Sequence, residues 1–526
     1  MKPGGPKLPR ARLLPLLLLP LFAVYYPALK AGYTNWDDPA YTFESPLAGS
    51  FTPGGVAAAF TSFRVGHYHP LTDISMAAEA AVLGESAKVR HAGSLLLHAG
   101  NAVLLFFLLA ALLGSDLAAL AGALLWALLP VNAEAAVWIA ERKTLLYAFF
   151  SLGALLCYLR RLRGGSAAYL WGAAALFVLG LLAKATAVTL PLAMLALDWR
   201  YERPMDKKNL LEKSGFFVLA GLFSLAAAAA QGGRGELLAG NFPGLFSFYL
   251  SRTLWPAGLS ALYPYRETLA ALRLHPFAGA LPAAAFAGAL AWAVKKEKDA
   301  ALGLLLFLVN ILPFALIIPI GPALAADRYL YMASAGIVLA ACAAALRLPA
   351  GRWRAPALAA LFLAAALPAA ALTRARTAVW RSSETLWADV LKEYPRAGVP
   401  NQNMAQALLE KGDWPGAAER LKLALAADPE NPEALYNLGT AMARAGLLRQ
   451  ALPLLETSLR LKPDNAPGWN NLGLVFAQLG RQDEAAKAFF TASAADPSYA
   501  PARANLAAAR PPPPHCGKNG KVIRYQ

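Results

Sequence analysis

The sequence predicts an all-α protein in two parts: a polytopic membrane helix bundle of about 11 spanning helices, then an α-solenoid. Three observations predict it. Of 526 residues, 57% are hydrophobic, and the mean hydropathy is +0.42, more apolar surface than a soluble chain of this size buries. Apolar runs of helical length recur through residues 1–373. From residue 374 the pattern turns charged, Ala- and Leu-rich and strictly periodic.

The bundle begins with the run 13–29, preceded by Lys2, Lys7, Arg10 and Arg12. That run is long for a signal peptide and lacks a good cleavage signal, so it reads as an uncleaved anchor. A long first loop, 30–90, follows. Further apolar segments fall at 94–113, 117–131, 144–159, 167–183, 186–198, 214–230, 276–294, 300–319, 331–346 and 355–373. Basic clusters test the count: Arg160, Arg161 and Arg163; Arg200, Arg203, Lys207, Lys208 and Lys213; Lys295, Lys296 and Lys298; Arg347, Arg352 and Arg354. Every cluster falls on the N-terminal side, which puts the N-terminus in the cytoplasm and everything after Thr373 outside. The interrupted apolar stretch 245–260 reads as a re-entrant or interfacial helix. The same placement accounts for the net charge of +17 without nucleic acid as a partner. Three cysteines and no CxxC pair support neither a disulfide framework nor a zinc site.

In the second part, Pro395, Pro429, Pro463 and Pro497 stand 34 residues apart, and Gly412, Gly446 and Gly480 keep the same step. So do Asn403, Asn437, Asn471 and Asn505, Ala417, Ala451 and Ala485, and the large apolar series Trp387, Leu421, Leu455 and Phe489. Small residues where paired helices touch, with Pro closing each unit, are the pattern of the tetratricopeptide repeat. The expected domains are therefore 1–373 for the bundle, 374–510 for about 3.5 repeats with a capping helix, and 511–526 as a disordered tail. The array is a generic helical scaffold or a concave face for an extended peptide.

No Walker loop, GxSxG elbow, HExxH or dinucleotide fingerprint occurs, so chemistry falls to ionisable groups near the membrane, where each is costly to keep. Asp37 and Asp38 follow the first segment; one of them suits a general base, and an Asx-turn before Pro39 is the structural alternative. His67-Tyr68-His69, with Asp73 and Glu79 downstream, suits a polar substrate lining or loop ordering, and a divalent metal is left open. Glu134, Glu141, Arg142 and Lys143 share one short outside turn, and Lys184 separates two apolar segments. Asp327, Arg328 and Tyr329 open another. Cations at such an interface suit a phosphate or snorkel to lipid headgroups. All these places fall on the outside face.

The ordered set NWDD (35–38), HYHPLT (67–72), AEAAVWIAERK (133–143), LLAKATAVTLP (181–191), TLWP (253–256) and ADRYLY (326–331) resembles the GT-C glycosyltransferases. It is most similar to the transmembrane-and-TPR protein O-mannosyltransferases and their bacterial relatives, along nearly the whole chain. The resemblance implies a GT-C-like bundle in a bacterial inner membrane that transfers a sugar, mannose first among candidates, from a polyprenyl-phosphate donor with inversion. The acceptor would be Ser or Thr of a protein bound by the repeats. It implies Asp37 or Asp38 as base and Arg142, Lys143, Lys184 and Arg328 as holders of the donor phosphate; His67, His69, Glu141, Asp327 and Tyr329 are expected to line the substrate. The lipid-linked sugar is a co-substrate, and no resident metal is assigned. One departure is that the acidic pair is Asp-Asp where that family usually carries Asp-Glu. The rival readings are a non-catalytic membrane-anchored scaffold for envelope complexes and, last, a lipid or polysaccharide transporter.

Overall fold

The computed structural model describes residues 10–45, 47, 51–63, 66–230, 242–274, 276–316, 323–349 and 352–509. The predicted tail 511–526 and the stretch 231–241 lie outside the described residues. The chain divides into two compact units, one ending at Asp389 and one starting at Val390.

The first unit is helical, as its composition requires. It contains α1 (Leu14–Tyr25), the short α2 (Asp38–Tyr41), α3 (Pro53–Thr61), α4 (Pro70–Leu83) and α5 (Ala87–Leu113). Next come α6 (Asp116–Ala127), α7 (Ala133–Val137), α8 (Arg142–Leu162), α9 (Ala168–Ala183), α10 (Leu190–Arg200) and α11 (Lys207–Ala230). The unit continues with α12 (Phe242–Leu254), α13 (Tyr265–Leu274), α14 (Pro276–Lys296), α15 (Lys298–Leu316), α16 (Leu330–Ala345) and α17 (Arg354–Val379). Local signals set the ends. Ser86 and Ser115 cap α5 and α6 by accepting from Val89 N and Ala118 N. Gly114, at φ +67°, closes α5 in the left-handed region.

Apolar helices form over the expected segments as far as these are described, but the expected count of about 11 crossings is corrected. Among the described residues, seven helices are long and apolar enough to cross a membrane, or eight if α6 and the helix Pro130–Val137, bent by 58°, act as one. For two of the expected segments the reason is length. α9 and α10 have 16 and 11 residues, roughly 24 and 16 Å at 1.5 Å per residue, against a hydrocarbon core of about 30 Å. Hydropathy windows run across the break between them at Lys184. α12, where a re-entrant element was expected, has 13 residues. The all-α expectation also missed a small antiparallel pair, β1 (Tyr263–Pro264) with β2 (Ala323–Ala325).

Two features lock the bundle. Gly303 of α15 and Gly336 of α16 face each other so closely that a Cβ on either would meet the partner's carbonyl, the small-residue contact that lets helix backbones approach. Buried polar groups cross-link the core: His98 Nδ1 and Tyr331 OH lie 2.7 Å apart, and Asn101 Nδ2 donates to Tyr331 OH and to Leu145 O.

In the second unit, helices α19 (Gly398–Glu410) to α24 (Gln482–Ala495) form antiparallel pairs, closed by α25 (Ala500–Ala508). Three of the predicted series, glycine, alanine and large apolar, take definite structural roles. Gly412, Gly446 and Gly480 all adopt φ near +80°, which only glycine takes without strain. Ala417, Ala451 and Ala485 are fully buried where helices touch, beside Leu421, Leu455 and Phe489. Asn431 and Asn465 each cap the following helix. Helix α18 (Ser383–Glu393) straddles the division. Trp387, which keeps the repeat spacing, lies in the first unit, so the predicted boundary at 373/374 falls 16 residues before the structural one.

Candidate functional site

Separate stretches of the first unit converge on one carboxylate. Glu141 ends a 3-10 turn ahead of α8 and is 1% exposed. Its Oε1 is 3.3 Å from Lys143 Nζ and 3.4 Å from Arg328 Nε. Its Oε2 is 2.9 Å from Lys184 Nζ and accepts from the Thr144 hydroxyl. Lys184 reaches it because the chain turns extended where α9 stops, and Arg328 because a 3-10 turn joins β2 to α16. Arg328 also pairs with Glu134 and lies 5.3 Å over the Trp138 ring. Lys143 also donates to Tyr41 OH at 3.3 Å, and Lys184 to Thr144 Oγ1 at 2.6 Å. An ammonium carries three N–H groups and a guanidinium five, so among the described residues each cation keeps donor capacity beyond these bonds. The cluster can hold an anion by charge-assisted hydrogen bonds in a poorly hydrated place.

The two aspartates part company. Asp38 is 1% exposed; its Oδ2 accepts from Thr34 N and Oγ1, both at 2.8 Å, and its Oδ1 from Ala140 N at 3.1 Å. Burial pushes it up to about 6, against the pull of those hydrogen bonds. Asp38 ties the acidic loop to the turn that carries Glu141. Asp37 precedes α2 without capping it by its side chain. Burial raises its pKa, Lys143 and Arg328 pull it down, and Glu141 adds to the rise. That is the environment of a carboxylate able to exchange a proton beside a cationic cluster.

His67 and His69 lie beside the cluster with rings 5.3 Å apart, and His69 Nε2 is 3.3 Å from Tyr41 OH. Burial, then Lys143, lowers both, His67 to about 3, so both imidazoles are neutral at neutral pH. Among the described residues no group of three His, Cys, Asp or Glu side chains could hold a metal ion. Asp327 accepts from Tyr263 OH at 2.7 Å. Tyr329 stacks on Phe314 at 3.8 Å and underlies Arg328 and Lys184.

An aromatic stack backs the acidic loop. Trp36 lies 4.7 Å from Trp138 and 5.1 Å from Trp387, and Trp138 is 5.2 Å from Trp380. Asn35 Oδ1 accepts from Trp387 Nε1 at 2.7 Å, and Asn35 N donates to Ser383 Oγ at 2.9 Å.

Part of the chain matches a known family. Residues 408–473 match the tetratricopeptide repeat. The second unit is a tetratricopeptide-repeat domain. No curated protein matches the chain. Among solved structures, the chain is similar to a MamA protein, at 24% identity over 24% of this chain and 69% of that one, with a TM-score of 0.23. It is also similar to the Arabidopsis OM64 TPR domain, at 19% identity over 21% and 91%, TM-score 0.21. YrrB, described as a TPR protein with an unusual peptide-binding site, is 16% identical over 41% of this chain and 96% of its own, TM-score 0.23.

Arg142, grouped with Lys143 from sequence, faces elsewhere. Its Nη1 donates to Glu79 Oε2 at 2.8 Å and its Nη2 to Arg90 O at 2.7 Å, in a second network that includes Arg90, Glu85 and Tyr33. Successive helical residues point about 100° apart, so only one of the two can reach Glu141. Arg142→Ala is expected to destabilise the protein by about 3 kcal/mol, the scale for breaking a buried ion pair. Thermal unfolding should register this, while anion affinity of the folded fraction stays unchanged. Sequence reading missed Tyr41, Thr144 and Trp138. Tyr41 was detectable at the i+4 position from Asp37, on one helical face, and Trp138 sits inside the quoted 133–143 stretch.

Proposed function

We propose that the chain is an integral membrane glycosyltransferase. It transfers a sugar, mannose first among candidates, from a polyprenyl-phosphate donor to a Ser or Thr hydroxyl of a polypeptide, with inversion. The reaction runs on the extracytoplasmic face of a bacterial inner membrane, with the N-terminus in the cytoplasm and the repeats outside. The observation that carries this reading is the gathering of Lys143, Lys184 and Arg328 on Glu141, with Asp37 beside them. The acceptor oxygen attacks the anomeric carbon as Asp37 takes its proton. The bond from that carbon to the phosphate oxygen breaks with its electron pair, and the three cations receive the charge that develops on the leaving phosphate. Asp38 positions the loop, and no step is assigned to a metal. The ordered motifs resembling GT-C enzymes support the same reading.

A second reading has its own support. Tetratricopeptide repeats are protein-interaction modules, and the repeat match favours a scaffold that binds a polypeptide. The two readings separate in one experiment. Purified chain is given polyprenyl-phosphate mannose and an envelope-protein extract, and transferred hexose is followed by mass spectrometry. Transfer supports the enzyme. Neither transfer nor binding of the polyprenyl phosphate leaves the scaffold.

The pH dependence is a further expected outcome. Burial brings Lys184 down to about 8, Lys143 and Arg328 adding to the fall and Glu141 opposing it. Its positive charge is therefore lost as pH rises through about 8, and kcat/KM for the donor, which reports the free protein, should fall there. Lys184→Arg keeps its charge at all these pH values and should lose that alkaline limb. An identical limb in the variant would mean that Lys184 does not hold the phosphate.

A further inference from the structure

One cavity of the first unit is lined by none of the residues around Asp37. It measures about 990 Å³, at the top of the roughly 300–1,000 Å³ range of ligand pockets. It lies where α1 begins, α5 ends, α6 begins, α8 ends and α9 begins. The Glu141 cluster sits at the opposite ends of α8 and α9. Its walls are of two kinds. Leu13, Phe107, Leu117 and Leu156 supply apolar surface, and Arg10, Arg160 and Arg163 line it as cations. One acid, Asp116, is already paired with Arg10 at 2.8 Å, which leaves an excess of positive charge. Arg163 is held by Ala111 O and by Tyr201 OH at 2.9 Å, so its guanidinium is fixed in place. Arg160 is exposed.

We infer that this cavity is a binding site for a phosphate-headed amphiphile, an anionic phospholipid, whose headgroup meets the arginines and whose chain lies on the apolar wall. The chemistry selects the ligand. Guanidinium groups match phosphate in plane and charge. Free phosphate would leave the apolar wall uncovered, and an uncharged lipid would leave the arginines without a counter-ion. Basic pockets between spanning helices take lipid headgroups on these terms. The inference rests on the first unit spanning a membrane, the coarser part of the proposed function, and not on glycosyl transfer.

The test uses the full chain in neutral detergent, titrated separately with short-chain phosphatidylglycerol, phosphatidylcholine of the same chain length, and inorganic phosphate, with adducts read by native mass spectrometry. Phosphatidylglycerol is expected to bind at least tenfold tighter than the other two. Arg160→Ala, at an exposed position that should not disturb folding, is expected to weaken it about tenfold. Leu156→Asp puts a carboxylate on the apolar wall, leaves every arginine in place, and is expected to weaken binding at least tenfold; wild-type affinity in that variant would assign the lipid to the basic surface and overturn the inference. Equal affinity for the two lipids, or phosphate matching phosphatidylglycerol, overturns it as well. So does loss of binding in Lys184→Gln, which would put the lipid in the donor site. A chain that transfers sugar yet fails these tests loses only this inference.

Discussion

Asp37→Asn is expected to cut the rate of sugar transfer by about 10²–10⁴-fold, the range contributed by a positioned general base, with little change in donor KM. The amide keeps the shape of the side chain and cannot accept the acceptor's proton. Asp38→Asn should behave differently. An amide nitrogen would face either Thr34 N or Ala140 N, both of which now donate to the carboxylate. Leaving a buried donor unmatched costs about 1–3 kcal/mol, so this variant should unfold at lower temperature. Its remaining folded fraction should turn over faster than Asp37→Asn. Measuring kcat, KM and thermal unfolding on both variants separates the roles. Wild-type turnover in Asp37→Asn would remove Asp37 from the chemistry.

The second large effect is expected at Glu141. Its carboxylate is the shared counter-charge of Lys143, Lys184 and Arg328, and Glu141→Gln would leave three cations facing one another in a buried place. Breaking a buried pair by removing one partner costs about 3–5 kcal/mol, and here one substitution weakens three pairs at once. A marked fall in the unfolding temperature is expected, with little protein recovered from membranes. Glu141→Gln combined with Lys184→Met should recover part of the loss, because contacting charges are not additive. If the double variant is no more stable than the single one, Glu141 is not the common anchor. Added polyprenyl phosphate should also stabilise Glu141→Gln more than the wild type, since it would replace the missing negative charge.

The two units were legible to different depths in the sequence. The repeats could be read almost position by position. Their 34-residue step is a local property: glycine at the left-handed turn and alanine at the helix contact each act within one or two helices. The cation cluster was legible as a set, because costly charges recur at the ends of apolar segments. Its wiring was not. Arg142 and Lys143 are neighbours in sequence, and only the rotation of α8 sends one to Glu79 and the other to Glu141. Nothing in the adjacent pair Asp37-Asp38 says which carboxylate Thr34 and Ala140 hold. The count of spans failed for a related reason: hydropathy averaged over a window cannot see that α9 ends at Lys184 and that α10 has only 11 residues.

The boundary at Asp389 has a practical consequence for dissecting the protein. Removing the repeats by ending the chain at residue 373, as composition suggests, would also remove Trp380, Ser383 and Trp387. With them would go the indole N–H and the hydroxyl that grip Asn35, two residues before Asp37. An inactive product of that cut would say nothing about whether the repeats deliver substrate. Ending the chain after Glu393, where α18 stops, keeps this clasp and isolates what the solenoid itself contributes.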